Sequence, residues 1–198
     1  MQLYICDIKP FLDLKGLALI TKERQKRIHR YLRIEDKARS LVAGLLLRRV
    51  CGITDDEQIV FGKNGKPYLR SNGGRSKQDK VYFNISHSGD YVILAIADRE
   101  IGVDIEQIAP YSNAIAHRCF TPAEQEWLKQ KGDDKSFFRL WTAKESVMKA
   151  TGLGFALSPN SFCVLPLDSS VHYINKEGWR MEWFFHDGYI VCCCVKHY

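Results

Sequence analysis

Apolar and polar positions repeat along this chain with two periods. Residues 3–8 alternate as a strand, and Lys9-Pro10 ends it. Thr21 is placed to cap a basic helix over residues 22–31, where three- and four-residue spacing puts Arg24, Arg27 and Tyr31 near one face. Residues 34–50 carry apolar side chains at Ala38, Leu41, Val42, Leu45 and Leu46, the period of an amphipathic helix, and Gly52 supplies its stop. Arg39 falls off that apolar stripe. Residues 58–61 and 67–69 read as short strands around a Gly-Lys-Asn-Gly-Lys-Pro turn, and the polar stretch 71–80 reads as a surface loop. Strands follow at 81–85 and 91–97, joined by a turn Ser86-His87-Ser88-Gly89-Asp90. The next strand, 101–105, sends Ile101, Val103 and Ile105 to one face and Gly102, Asp104 and Glu106 to the other.

Helices return after Pro110. Thr121-Pro122-Ala123-Glu124 combines a capping threonine, proline at the first helical position and glutamate three residues after the cap. A second helix spans residues 133–150, with Phe137, Leu140, Trp141 and Met148 as its apolar contacts and Gly152 as its stop. Strand-like runs close the chain at 162–165, 171–174, 180–185 and 189–195, the last two joined by an Asp187-Gly188 hairpin turn. The order is strand, helices, strands, twice over. It predicts an α+β protein of two halves meeting near residue 100, with no residue-level repeat and no low-complexity linker.

Composition changes this picture little. A chain of 198 residues holds one large domain or two small ones packed together, and 45% hydrophobic with 26% charged residues is ordinary for a globular protein. The N-terminus lacks a signal-peptide pattern and no apolar run is long enough to span a bilayer, so a cytoplasmic protein with no membrane partner is expected. Seven cysteines without a Cys-x-x-Cys pair read as reduced, partly buried small side chains. Charge is more informative. Residues 21–50 hold ten Lys/Arg against three Asp/Glu, a local excess of +7 beside a net +6, so the basic helices expect an anionic partner.

Taken singly, the candidate chemical groups have bland explanations. Glu145 and Lys149, four apart on a helix, suit an intrahelical ion pair; Asp104 and Glu106 suit the wet face of a strand; His87 suits a turn. Together, three carboxylates, a histidine, a helical lysine and a separate basic helix are the parts of metal-assisted phosphoryl chemistry. The sequence has no Gly-x-x-x-x-Gly-Lys-Ser/Thr, no His-Glu-x-x-His and no Gly-x-Ser-x-Gly, which argues against P-loop nucleotidases, that class of zinc hydrolase and α/β-hydrolases. A metal-dependent phosphodiesterase or nuclease and a nucleic-acid binder stay open at this point. The second leaves the carboxylates without a role.

Phe83-Asn84-Ile85-Ser86-His87-Ser88, Gly102-Val103-Asp104-Ile105-Glu106 and Trp141-Thr142-Ala143-Lys144-Glu145-Ser146-Val147-Met148-Lys149 resemble the Sfp-type 4′-phosphopantetheinyl transferases. Arg118-Cys119-Phe120, Gly65-Lys66-Pro67 and the basic N-terminal helix match as well. The resemblance covers most of the chain and thins after about residue 165. It implies a pseudo-twofold pair of similar α+β subdomains, residues 1–100 with the coenzyme A nucleotide contacts and 101–198 with the metal ligands, and an active site in the cleft between them.

It further implies transfer of 4′-phosphopantetheine from coenzyme A to a serine of an apo acyl or peptidyl carrier protein, as a holo-carrier-protein synthase, with release of adenosine 3′,5′-bisphosphate. Asp104, Glu106 and Glu145 would bind Mg²⁺, or Mn²⁺, with the pyrophosphate, and Lys149 would contact the pyrophosphate. Glu145 would be the base, directly or through a metal-bound water. Ser86 and His87 would hold phosphate and adenosine groups, Lys66 would lie beside the adenine, and Arg24, Arg27 and Arg39 would face the 3′-phosphate. The carrier would dock near residues 111–128, where core packing accounts for Phe120 and Trp127 equally well. Chain length favours a monomer over the short, trimeric members, and a nucleic-acid partner is not implied.

Overall fold

The computed structural model describes residues 1–70 and 81–197, so the surface loop expected over 71–80 lies outside the described residues. The chain divides into two units, Met1–Asp98 and Arg99–Tyr198. In the first, β1 (Gln2–Asp7), α1 (Lys22–Arg30) and α2 (Ile34–Cys51) are followed by β2 (Ile59–Phe61), β3 (Pro67–Leu69), β4 (Tyr82–Ser88) and β5 (Tyr91–Ala97). The strands form an antiparallel sheet in the order β1-β5-β4 and a separate β2-β3 ribbon. The apolar stripe of α2 covers the sheet. Ala38, Val42 and Ala43 join Ile8 and Val92 in one buried cluster, and Leu47 joins Ile53, Phe83 and Leu94 in another. Ile28 of α1 packs with Leu41 and Ile20, which fixes the basic helix by its one buried residue.

Two local expectations need correcting here. Thr21 does stand at the start of α1, but its side chain makes no capping bond. The Asp56 carboxylate, from a distant turn, accepts from the Glu23 N–H at 2.9 Å instead. Nor is His87 on a turn. β4 runs on through His87 and Ser88, with Ser88 opposite Tyr91, so the connection is only Gly89-Asp90. Polar side chains at 86–88 suggested a loop because composition alone does not register a strand that continues its ladder with polar residues.

The second unit begins with β6 (Ile101–Gln107), then α3 (Asn113–Cys119), α4 (Pro122–Lys131), α5 (Asp134–Thr151), β7 (Val171–Ile174), β8 (Glu177–His186) and β9 (Tyr189–Lys196). Its sheet is antiparallel in the order β6-β9-β8-β7. The start of α4 is a complete capping box: Thr121 accepts from the Glu124 N–H, and Glu124 accepts from the Thr121 N–H. Asp187 and Gly188 both take positive φ, 43° and 79°, as the tight turn between the twisted strands β8 and β9 requires. Phe137, Leu140 and Val147 of α5 pack with Trp179, Cys192 and Cys194 of the sheet in the largest buried cluster. All seven cysteines are free thiols, and the three on β9 are buried.

Residues 162–165 are not a strand. Their polar backbone groups are used elsewhere. The Lys144 ammonium donates to the carbonyls of Phe162 and, at 2.8 Å, Pro159. Glu124 accepts from the Val164 N–H at 2.8 Å. Lys144 and Glu124 themselves pair at 2.7 Å with no solvent exposure on either side chain. A buried ion pair, fully hydrogen-bonded, thus takes the place of a neighbouring strand.

Each unit sets an 18-residue helix, α2 or α5, against an antiparallel sheet, and the protein is α+β. No helix among the described residues is long and apolar enough to cross a membrane.

Candidate active site

The first unit contains a cavity of about 410 Å³ lined by Arg24, Arg27, Arg39 and His87, by the acidic Glu23, Asp36 and Asp56, and by the apolar Leu47, Ile53 and Phe83. Arg24 reaches it across α2 because Gly44 has no side chain; a Cβ there would lie 2.7 Å from the Arg24 Cδ. Burial and the neighbouring Arg27 charge pull the Arg24 guanidinium down to about 10. A desolvated guanidinium crowded by a second, exposed one favours an anion beside the pair.

Arg39 is already engaged. It donates to the Asp36 carboxylate at 2.7 Å and to the Gly89 carbonyl at 2.6 Å, which ties α2 to the β4–β5 turn just beyond His87. That bond to Arg39, with the charges of Arg39, Arg33 and His87, holds the Asp36 carboxyl below the ordinary range.

Ser86 and Lys66 are placed differently. Strand alternation sends Ser86, buried, to the face of β4 opposite His87. Lys66 is also buried, its ammonium 5.6 Å from the centre of the Tyr68 ring, while its neighbours Gly65 and Pro67 line the cavity. Of the six nucleotide-contact candidates, Arg24, Arg27, Arg39 and His87 therefore line one cavity, and Ser86 and Lys66 are not in its lining.

In the second unit, β6 and α5 lie unusually close at Gly102. A Cβ there would come within 2.0 Å of the Ser146 carbonyl oxygen and 2.4 Å of the Ala150 nitrogen, so only glycine fits. This approach brings the polar face of β6 to Glu145 and Lys149. Asp104 is 2% exposed, and the Lys149 ammonium lies 2.6 Å from its Oδ1. Glu145, one turn earlier on α5, has its carboxyl pushed up first by burial and then by the Asp104 charge, with Lys149 opposing. Glu106 lies two residues beyond Asp104 on the same face of β6 and is half-buried. Among the described residues no three His, Cys, Asp or Glu side chains form a ready metal cluster. The donors nonetheless suit a hard dication: all are carboxylate oxygens, and the Asp104 charge is close enough to act on Glu145.

Several participants escaped the sequence reading. Asp36 and Asp56 line the same cavity as the arginines. Lys144 and Glu124 form the buried pair behind α5. Lys144 did leave a signal, since it sits on the stripe Phe137, Leu140, Lys144, Met148, where a charge is out of place unless it is paired. Nothing local in the sequence marks Asp36 or Asp56.

Residues 100–194 match a family model described as the 4′-phosphopantetheinyl transferase superfamily. Residues 13–99 match one described as the N-terminal part of 4′-phosphopantetheinyl transferase. Similar proteins include the 4′-phosphopantetheinyl transferase gsp of Aneurinibacillus migulanus, 38% identical over 190 residues, which are 88% of this chain and 76% of that protein. The 4′-phosphopantetheinyl transferase Sfp of Bacillus subtilis strain 168 is 35% identical over 156 residues, 75% of this chain and 67% of that one. An L-aminoadipate-semialdehyde dehydrogenase-phosphopantetheinyl transferase of Xenopus laevis is 34% identical over 80% of this chain and 58% of its own length. The chain belongs to the 4′-phosphopantetheinyl transferase superfamily, in its Sfp-type branch. It is an enzyme of the phosphopantetheinyl transferase class.

Proposed function

We propose that this protein transfers 4′-phosphopantetheine from coenzyme A to a serine of an apo acyl or peptidyl carrier protein, with Mg²⁺ or Mn²⁺, and releases adenosine 3′,5′-bisphosphate. The observation that carries this reading is the meeting of Asp104, Glu145 and Lys149 where α5 crosses Gly102. Carboxylates alone would repel a diphosphate; carboxylates with a dication and a lysine attract it.

Asp104, Glu145 and Glu106 are the residues that would hold the metal, which when bound neutralises charge on the pyrophosphate. Lys149 binds the pyrophosphate and stabilises charge that builds on its oxygens. The serine hydroxyl attacks the β-phosphorus, a new P–O bond forms, and the anhydride bond to the nucleotide side breaks. Glu145 accepts the hydroxyl proton, directly or through a water. The bisphosphate leaves with the anhydride oxygen. Arg24, Arg27, Arg39 and His87 bind its 3′-phosphate side in the cavity, whose apolar lining residues offer a surface to the adenine. Lys66 and Ser86, which do not line that cavity, are the remaining nucleotide contacts of this reading.

The carrier docks near residues 111–128. Phe120 is 1% exposed and packs in the core against Phe137 with tilted rings, so docking falls to the exposed side chains of that segment. The protein acts as a cytoplasmic monomer without nucleic-acid or membrane partners.

Release of adenosine 3′,5′-bisphosphate from coenzyme A, followed by chromatography, tests the acceptor. The product is expected only when apo carrier protein is present. Equal release without carrier would mark a hydrolase instead.

A further inference from the structure

The contact between Lys149 and Asp104 has a consequence for how the metal enters, which rests on the reading of these residues given above. Asp104 is a buried carboxylate, 2% exposed, and Lys149 lies against its Oδ1 at 2.6 Å. A second carboxylate, Glu145, stands one turn away on the same helix. A buried carboxylate beside another is strongly disfavoured without a counter-charge. Lys149 supplies one.

We propose that Lys149 is a placeholder cation: it neutralises Asp104 when no metal is bound, and it is displaced from that carboxylate when a dication binds. The side chain is built for such an exchange. An ammonium is a compact point charge on a flexible four-carbon stem, so it can change partners without moving the helix. The Lys149 side chain is 28% exposed where that of Asp104 is 3%, so the lysine has an open flank to swing into while the aspartate stays in place. A dication needs the Asp104 oxygens, and an ammonium in contact with the same carboxylate repels it. Displaced from Asp104, Lys149 is available to the pyrophosphate. The metal would thereby prime the lysine, and ligand-free protein would not need metal to keep this buried site electrically balanced.

Linkage makes the idea measurable, because a group that competes with the metal must weaken its binding. Mn²⁺ titrations followed by electron paramagnetic resonance, without coenzyme A, compare the wild type with Lys149→Met and Asp104→Asn. Lys149→Met is expected to bind Mn²⁺ roughly tenfold or more tightly than the wild type, and Asp104→Asn to lose binding. Equal or weaker binding by Lys149→Met, with binding still lost in Asp104→Asn, overturns the placeholder and leaves the metal assignment standing. Binding indifferent to Asp104→Asn, or none in either wild type or Lys149→Met, overturns the metal assignment and the placeholder together. A wild-type crystal soaked in Mn²⁺ gives an answer independent of how the variants fold. The Lys149 ammonium is expected to have left Asp104 where Mn²⁺ is bound; an intact contact beside bound Mn²⁺ would refute the exchange.

Discussion

Glu145 carries the heaviest chemical demand of any residue in the proposed reaction, and its surroundings fit that demand. Burial and then the Asp104 charge raise its carboxyl, with Lys149 opposing, and it stands one helical turn from Lys149. Glu145→Gln keeps the size and removes the basicity. It is expected to lower kcat by about 10²–10⁴-fold with little change in thermal unfolding, and near-normal turnover would remove Glu145 from the role of base. His172 makes a different kind of residue-level prediction. It is buried on β7 opposite Trp179, and burial lowers its pKa, partly offset by Asp168. The unfolded chain therefore binds a proton in the ordinary histidine range that the folded chain refuses. Stability should be retained above that range and fall as pH drops through it. Thermal unfolding from about pH 7.5 to about pH 5 should show a smaller loss for His172→Phe than for the wild type. Identical pH profiles would show that His172 does not titrate against folding.

At the scale of elements, α5 is held from both sides. Gly102 lets it press on β6, which sets Glu145 and Lys149 toward Asp104. Behind it, the Lys144–Glu124 pair ties the helix to α4 and to the backbone at 159–164. Glu124→Gln leaves the Lys144 charge buried without its counter-charge and is expected to cost about 3–5 kcal/mol in a denaturant titration. Replacing both residues with apolar side chains should recover much of that loss, and a single variant as stable as the wild type would show that the pair does not hold the fold together. This device also shows where sequence reading fails. The helices, the α4 capping box and the β8–β9 hairpin rest on local signals: apolar spacing, a Thr-Pro-x-Glu start, an Asp-Gly turn. Residues 162–165 had the apolar composition of a strand. What decided their conformation was a lysine and a glutamate distant in sequence, which local periodicity does not register. His87 misled in the opposite direction, because a polar run was read as a turn while its backbone completed the β4–β5 ladder.

For the whole molecule, the α+β class and the order of elements were readable from periodicity, and the metal and pyrophosphate candidates from residue types at fixed spacing. The pairings inside the site were not. Arg39 was expected to face a ligand, yet it also braces the turn beyond His87 through Gly89 and pairs with Asp36, a residue that nothing local marks. Lys149 was expected at a pyrophosphate and stands first on Asp104. Such contacts depend on which strand faces which helix, and that is settled by packing at positions such as Gly102 and Gly44. The central claim nonetheless concerns the molecule's product more than any one contact. Its most direct test is to incubate the protein with coenzyme A, Mg²⁺ and apo carrier proteins of the fatty-acid, polyketide and nonribosomal-peptide types, and to weigh each carrier by mass spectrometry. The account predicts that at least one carrier gains the mass of a phosphopantetheine group on its serine; no gain on any of them would contradict it.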